Sequence, residues 1–428
     1  MTAVATGVRR RAATPPGRLR LLSVLVVLAL VALWVTALGA TQTRRHAIDT
    51  LTKDSGASFI AAQSLRAELW AADATAARAF LAGGVEPPGQ RAAYARSIAA
   101  AGDRVVDLAR AGGPRQPLAV LCAQLPVYTG LVERARANNR LGLAVGGAYL
   151  RQASALMRDT ILPAADALAT ADATDIDHGY RRASSWHQVF LVGAVGAATL
   201  AGLVALQVRL FRRTHRILNL PLLAATALTA IILGLTLTAF GVERGRLVES
   251  RDHGYVPMTL TAQARVLALR AWGDESLSLV AHGNGVELDE DARAAAARLG
   301  YDDRGRRSGT GVLPATVALR GPDGPARAAL EPAWRGYQAT SLRVGNLVSD
   351  VGGFQQAVAV ALGEGTTSFT RFDDASEAVF TTSRTRFEAR LSAAGEALNR
   401  LPLGATVALG LAAALAFVGI QLRINDYR

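Results

Sequence analysis

The chain has 428 residues, half of them hydrophobic, with a net charge of +13 and a positive mean hydropathy. The one cysteine, Cys122, excludes an internal disulfide and a cysteine-based zinc or iron–sulfur site. The one lysine, Lys53, follows Leu51-Thr52 rather than a glycine loop, which excludes P-loop nucleotide chemistry. A composition this apolar is typical of a membrane protein.

Four segments are long and apolar enough to cross a bilayer, which takes about 20 residues. They are residues 21–40, 189–208, 217–242 and 401–422, and none carries an ionisable residue in its interior. Ion and proton carriers usually need such a residue, so a transporter of that kind is disfavoured. The first segment exceeds the roughly 7–15 residues of a signal-peptide core, so we predict an uncleaved anchor.

The positive charge is concentrated beside the spans. Residues 1–20, 209–216 and 423–428 together hold eleven basic residues and one acidic residue. By the positive-inside rule these three segments are cytoplasmic, and the large segments 41–188 and 243–400 face outward. We therefore predict a multi-pass protein of the plasma membrane with both termini inside. No nucleic-acid partner is expected, because that would require a basic stripe on a folded domain.

The order of segments indicates a tandem duplication, since span, outer segment and span occur twice. Ala62-Gln63 has a counterpart in Ala262-Gln263, 200 residues later. Val145-Gly146-Gly147 has a counterpart in Val351-Gly352-Gly353, 206 residues later. Matches in constant order with slowly rising offsets are expected of a duplicated unit with small insertions. Two similar helical units without shared ancestry are the alternative.

Both outer segments are predicted to be helical, because apolar residues recur at helical spacing between glycine and proline breaks. The chain enters each outer segment from one span and leaves it into another, so both ends of the segment lie at the membrane. This requires an even number of antiparallel helices, and four is the simplest count. The predicted fold class is thus an all-α integral membrane protein with four transmembrane helices and two extracytoplasmic four-helix-bundle-like domains. A kink is expected at Pro163, and Leu299–Gly324 is expected to form an exposed loop.

No nucleophile–base pair, metal-ligand cluster or cofactor motif stands out, so the sequence predicts a non-enzymatic protein without a cofactor. The first helix of each outer segment is unusual in carrying charged and aromatic residues along an otherwise apolar helix. We consider these residues a candidate face for a ligand or partner, with an exposed bundle face as the alternative. The face consists of Arg66, Trp70, Asp73, Arg270, Trp272, Asp274 and Glu275.

The three cytoplasmic segments are too short to fold into a kinase or a cyclase. Any inward output therefore requires a recruited protein, and the loop between the second and third spans is its candidate contact. The loop carries Arg209, Arg212, Arg213 and Arg216. This arginine cluster suits an acidic protein face or anionic lipid headgroups, or it serves as a topology signal alone.

The four-span architecture, the charged first helices and the Gly146-Gly147 region around Tyr149-Leu150-Arg151 resemble the GlnX-type membrane proteins of actinobacteria. The resemblance implies a signalling relay. In such a relay an extracytoplasmic lipoprotein that binds glutamine or glutamate is linked through the four-span protein to a cytoplasmic serine/threonine kinase. The resemblance brings no catalytic residue to this chain.

Two other functions remain open from the residues. The chain could be a direct small-molecule receptor with a pocket near Arg66, Trp70 and Asp73 or near Arg270, Trp272 and Asp274. It could also be a structural or accessory membrane protein of the envelope or of a transporter.

Overall fold

The computed structural model describes residues 15–84, 86–214, 219–281, 285–399 and 401–425. Within these ranges the chain is helical apart from turns and one isolated antiparallel bridge, between Tyr301 and Arg307. The α-helices are α1 (Pro15–Thr50), α2 (Gly56–Leu81), α3 (Pro88–Arg110), α4 (Arg115–Arg140), α5 (Val145–Leu156), α6 (Leu162–Ala183), α7 (Trp186–Thr214), α8 (Leu220–Ser250), α9 (Val256–Val280), α10 (Val286–Leu299), α11 (Val312–Ala318), α12 (Gly324–Ala328), α13 (Leu330–Ser349), α14 (Phe354–Val360), α15 (Thr366–Asn399) and α16 (Leu401–Asn425).

Four helical stretches are long and apolar enough to cross a membrane, as expected of a multi-pass membrane protein. They run over Leu21–Leu81, Val145–Arg212, Leu220–Val280 and Phe354–Gln421. The predicted spans lie within them apart from a few terminal residues. Residue 219 precedes the third stretch, residue 422 follows the fourth, and residues 217 and 218 are outside the described residues. Each stretch has 61 or 68 residues, so it continues far beyond the apolar part that a bilayer accommodates.

The chain divides into two compact units, and the first of them contains the four spans. This membrane unit comprises Met1–Leu51, His178–Val248 and Arg390–Arg428. All four spans contribute buried apolar side chains to its core, among them Leu33, Leu203, Leu222 and Ala412.

The second unit combines residues that the sequence assigned to two separate domains. This bundle unit comprises Thr52–Asp177 and Glu249–Ala389. Its centre is the contact between α2 and α9, where a Cβ added to Gly273 would lie 3.3 Å from the Cβ of Ala74. Both helices are buried on nearly all sides. A helix that is apolar all round must be covered all round, so each half covers the first helix of the other.

In the described part of the chain, four π-helical segments interrupt the long helices: π1 (Leu51–Ser55), π2 (Met157–Ile161), π3 (Arg251–Tyr255) and π4 (Ala361–Gly365). The first and third are separated by 200 residues, and the second and fourth by 204. Such single turns are rare in α-helices and are often found at functional sites. These separations are close to the offsets of 200 and 206 residues between the matching sequence segments.

The sequence was accurate where a strong local break exists and less accurate elsewhere. Helix α3 ends at Arg110, just before Gly112-Gly113-Pro114, one of the glycine and proline breaks expected to separate the helices. Directly before Pro163, where a kink was predicted, the chain forms π2, and the N–H of Leu162 donates to the carbonyl of Met157. The Leu299–Gly324 segment is not simply an exposed loop, because it contains α11, whose Leu313 is fully buried.

Candidate functional site

The structure distributes the seven predicted face residues among three sets of contacts in the bundle unit. Trp70, Asp73, Arg270 and Asp274 lie together around Arg158 of π2, and we call these five residues the bridging cluster. Arg66, one turn before Trp70 on α2, pairs with Asp166 at 2.5 Å. Trp272 and Glu275 face a different neighbour, Arg78.

Asp73 of α2 is buried and is held by side chains from its own half of the unit. Its Oδ1 accepts a hydrogen bond from Ser154 Oγ at 2.8 Å and another from the Tyr128 hydroxyl at 3.3 Å. Its Oδ2 lies 3.9 Å from Arg158 Nε. Three helical segments of the first half therefore converge on this one carboxyl group.

Arg158 links the two halves of the bundle unit. Besides Asp73, its guanidinium forms an ion pair with Asp274 of α9, which is completely buried. The second oxygen of Asp274 lies 3.5 Å from Arg270 Nε, and Arg270 Nη2 bonds to Asp291 at 2.9 Å. Two buried aspartates, one from each half, thus share a single arginine.

Trp70 provides an aromatic surface close to both arginines of the cluster. The guanidinium of Arg158 lies 5.8 Å from the ring centroid and that of Arg270 lies 5.9 Å from it, within the range of a cation–π interaction. The Arg158 side chain is 17% exposed and that of Arg270 is 32% exposed. The cluster therefore has a partly open, positively charged edge above a buried acidic interior.

Burial dominates the acid–base properties of the two aspartates. It raises the pKa of Asp73, although Arg158, Ser154 and Tyr128 act in the opposite direction. It raises the pKa of Asp274 to about 6, against the lowering effects of Arg158 and Arg270. The charge of Asp274 is therefore sensitive to small changes around Arg158 at near-neutral pH.

We expect the bundle unit to become more stable as the pH falls from 7.5 to 5.5. The pKa of Asp274 is about 6, against an ordinary value of 3.8, so the folded state holds this proton more tightly than the unfolded state. The stability contribution is therefore present at low pH and is lost as pH rises through about 6. Between pH 7.5 and 5.5 the gain is about 1 kcal/mol for one such group.

The measurement is thermal unfolding of the full chain in detergent, followed by tryptophan fluorescence at both pH values. Asp172, whose pKa burial also raises to about 6, contributes a similar gain. Asp274→Asn and Asp172→Asn should each remove their own share of the pH dependence. Equal pH slopes in wild type and both variants would contradict the prediction.

A second buried arginine, Arg78 of α2, also reaches across to the other half. Its guanidinium lies 4.6 Å from the Trp272 ring and donates to the carbonyl of Ala361 in π4 at 2.5 Å. Trp272 stacks on Phe369 with ring centroids 4.2 Å apart. Glu275 accepts a hydrogen bond from the Tyr337 hydroxyl at 3.2 Å, and burial raises its pKa while Arg78 lowers it.

The membrane unit contains a buried ion pair just beyond the ends of the first and third spans. Arg44 pairs with Glu243, and their side chains are 1% and 0% exposed. Arg44 also donates to the Ser185 carbonyl at 2.8 Å and to Gln188 Oε1 at 3.1 Å. One guanidinium therefore joins α1, α8 and the segment at the start of α7.

The candidate cytoplasmic contact is only partly described. Arg209 and Arg212 are exposed on α7 and line a groove in the membrane unit. The side chain of Arg213 and the whole of Arg216 lie outside the described residues.

Sequence reasoning missed Arg158, Arg78, Arg44 and Glu243. Each is a single charged residue in a helix, and nothing in its local spacing indicates a distant partner. Tyr128 of α4 is fully buried, and its hydrogen bond to Asp73 was likewise not predicted.

Comparison with known proteins gave one similarity. A family described as the actinobacterial sensor domain matches residues 47–181. The matched part includes Trp70, Asp73 and Arg158, which form the first half's contribution to the bridging cluster. No curated protein and no solved structure matches the chain. The similarity supports a sensing or signalling role.

Proposed function

We propose that this protein is a non-enzymatic transmembrane sensor. Its bundle unit faces outward and detects a ligand or a solute-binding partner, and a recruited cytoplasmic protein reads the result. The observation that carries the proposal is the buried sharing of Arg158 between Asp73 and Asp274. The similarity of residues 47–181 to a sensor domain supports the same role.

The bridging cluster has the properties of a two-state element. Arg158 has two competing carboxylates, one in each half, and its own segment is a π-helical turn rather than a regular helix. A bound group that withdraws Arg158 from one aspartate changes how α2 and α9 are held together. Interactions that differ between two arrangements are what allow a ligand to shift the balance between them.

The proposed signal travels along helices of the bundle unit that continue into the spans. Helix α2 and the first span belong to one helical stretch, Leu21–Leu81, and α9 and the third span belong to another, Leu220–Val280. A shift or rotation of α2 against α9 is thereby passed along two helices into the membrane. Small sliding movements of packed helices are a common form of such transitions.

We propose that the two halves arose by tandem duplication, which the corresponding positions of the π-helical turns support. We further propose a GlnX-type relay, with a solute-binding lipoprotein outside and a cytoplasmic serine/threonine kinase in amino-acid or nitrogen sensing. The distribution of basic residues beside the spans supports the orientation.

A direct receptor for a small carboxylate is the second candidate. It is favoured by Arg158 and Arg270, two partly exposed arginines that both lie close to the Trp70 ring. Arginine pairs bind carboxylates with directional, charge-assisted hydrogen bonds. In this case the ligand would compete with Asp274 for the same guanidinium groups.

The test is affinity capture of the tagged full chain from cross-linked membranes in its native host, with mass spectrometry of the captured proteins. Recovery of both an extracytoplasmic solute-binding protein and a cytoplasmic kinase supports the relay. Recovery of neither, together with a thermal shift of the purified chain by a small carboxylate, favours the direct receptor. A null strain with a weakened envelope and normal nutrient responses would instead indicate a structural role.

A further inference from the structure

The membrane unit contains a groove of about 780 Å³ between α1 and α7. This volume is within the range of roughly 300–1,000 Å³ typical of ligand sites in proteins. The α1 wall carries Leu22, Leu25 and Val26, and the α7 wall carries small residues that include Gly202 and Ala205. The lining is thus apolar over most of its area and suits a hydrocarbon chain.

Helices α1 and α7 are in contact at Thr199, which also lines the groove. Thr199 of α7 is buried between them, and its hydroxyl lies 2.8 Å from the Val195 carbonyl and 3.4 Å from the Ala29 carbonyl of α1. Gly202 is exposed, and a Cβ added there would meet no atom within 4 Å. The absence of side chains at such positions leaves the space open.

One end of the groove is positively charged. Arg209 and Arg212 both line it, and both are exposed. They are three residues apart on α7, so their side chains project from neighbouring positions on one face of the helix. A guanidinium group binds phosphate oxygens with charge-assisted hydrogen bonds, and two neighbouring groups can bind one phosphate together.

A second groove of the membrane unit does not combine apolar walls with two exposed arginines. It has a volume of about 490 Å³ and is lined by α8, α15 and α16. Its arginine, Arg246, already donates to the carbonyl of Ala393. That groove can hold an apolar chain but offers less for recognition of an anionic headgroup.

We propose that the groove between α1 and α7 binds an anionic glycerophospholipid of the cytoplasmic leaflet. One acyl chain lies along the apolar walls, and the headgroup phosphate contacts Arg209 and Arg212. The proposal rests on the orientation given under the proposed function, because only then do the arginines lie at the cytoplasmic surface. Basic sites between transmembrane helices on that side are well suited to anionic headgroups.

The test is native mass spectrometry of the delipidated full chain in detergent, titrated with phosphatidylglycerol or with phosphatidylcholine of the same acyl chains. We expect the first phosphatidylglycerol to bind at least ten times more tightly than phosphatidylcholine. The double variant Arg209→Gln/Arg212→Gln should lose this preference, by roughly fivefold for each arginine. Equal binding of the two lipids by the wild type, or an unchanged preference in the variant, overturns the proposal.

A matched pair of glycine variants tests the location. Gly202 lines the groove and Gly193, on the same helix, does not, and an added Cβ at either position would meet no atom within 4 Å. Gly202→Leu should weaken phosphatidylglycerol binding several-fold, whereas Gly193→Leu should leave it unchanged. Equal effects of the two variants would overturn the assignment to this groove.

Other occupants give distinct results. Displacement of the lipid by glycerol phosphate at equal concentration would show that the site binds the headgroup alone. A dimer that dissociates in the Gly202→Leu variant would show that a second copy of the chain fills the groove. An acidic protein captured through the two arginines, without lipid selectivity, would show a protein contact. Each of these results overturns the proposal. All lipid measurements use the purified chain without partners, so they succeed or fail independently of the signalling proposal.

Discussion

Replacing Arg158 with glutamine is expected to lower the free energy of unfolding of the bundle unit by about 3 kcal/mol at pH 7.5. The change leaves the buried Asp73 and Asp274 without the guanidinium that they share. Asp73 keeps its hydrogen bonds from Ser154 and Tyr128, and Asp274 keeps Arg270, so the loss is smaller than for a fully isolated charge. The measurement is thermal unfolding of the full chain, followed by tryptophan fluorescence.

Two comparisons separate loss of the shared charge from general damage. The double variant Arg158→Gln/Asp274→Asn should recover part of the stability, because it removes the buried charge that Arg158 neutralised. The cost of Arg158→Gln should also decrease near pH 5, where Asp274, with a pKa of about 6, becomes protonated. Arg110→Gln, at the exposed end of α3, is the control and should change stability by less than about 0.5 kcal/mol. An Arg158→Gln cost that is the same at both pH values, with no rescue, would contradict the interpretation.

The second large effect is expected in the membrane unit, at Arg44 and Glu243. Removing either side chain alone leaves a buried charge without its partner, and we expect Arg44→Met and Glu243→Leu each to cost about 3–5 kcal/mol. The double variant replaces the ion pair with apolar side chains of similar size. We expect it to be more stable than either single variant, because no unpaired charge remains.

The measurement is a double-mutant cycle on thermal unfolding in detergent. Arg45→Met is the control, because Arg45 is less buried and its side chain donates to Asn399 rather than to an acid. Additive effects of the two single variants would mean that Arg44 and Glu243 do not stabilise each other, which would refute the prediction.

The sequence was sufficient for features that arise from local physical chemistry. Twenty or more consecutive apolar residues are expected to span a membrane wherever they occur, and the structure has four apolar helices of sufficient length. Glycine and proline end helices regardless of what packs around them, so the end of α3 at Arg110 could be predicted. The helical class of the chain follows from the same local signals.

The candidate site could be predicted only in part. Charged and aromatic residues on the apolar helices α2 and α9 were recognisable as unusual, and four of them form the bridging cluster with Arg158. The separation of Trp272 and Glu275 from that cluster depends on their contacts with Phe369 and Tyr337, which are distant in the sequence. Arg158 itself lies in a π-helical turn, and no sequence pattern indicated one at that place.

The sequence by itself determined the spans, the helices and the concentration of basic residues beside the membrane, because each depends on residues that are neighbours along the chain. Only the tertiary structure decided that the two large segments form one unit and that Asp73 and Asp274 share an arginine. The physical reason lies in α2 and α9, which are apolar on nearly every side. Such a helix requires burial on all faces, but its pattern does not specify which other helix will cover each face.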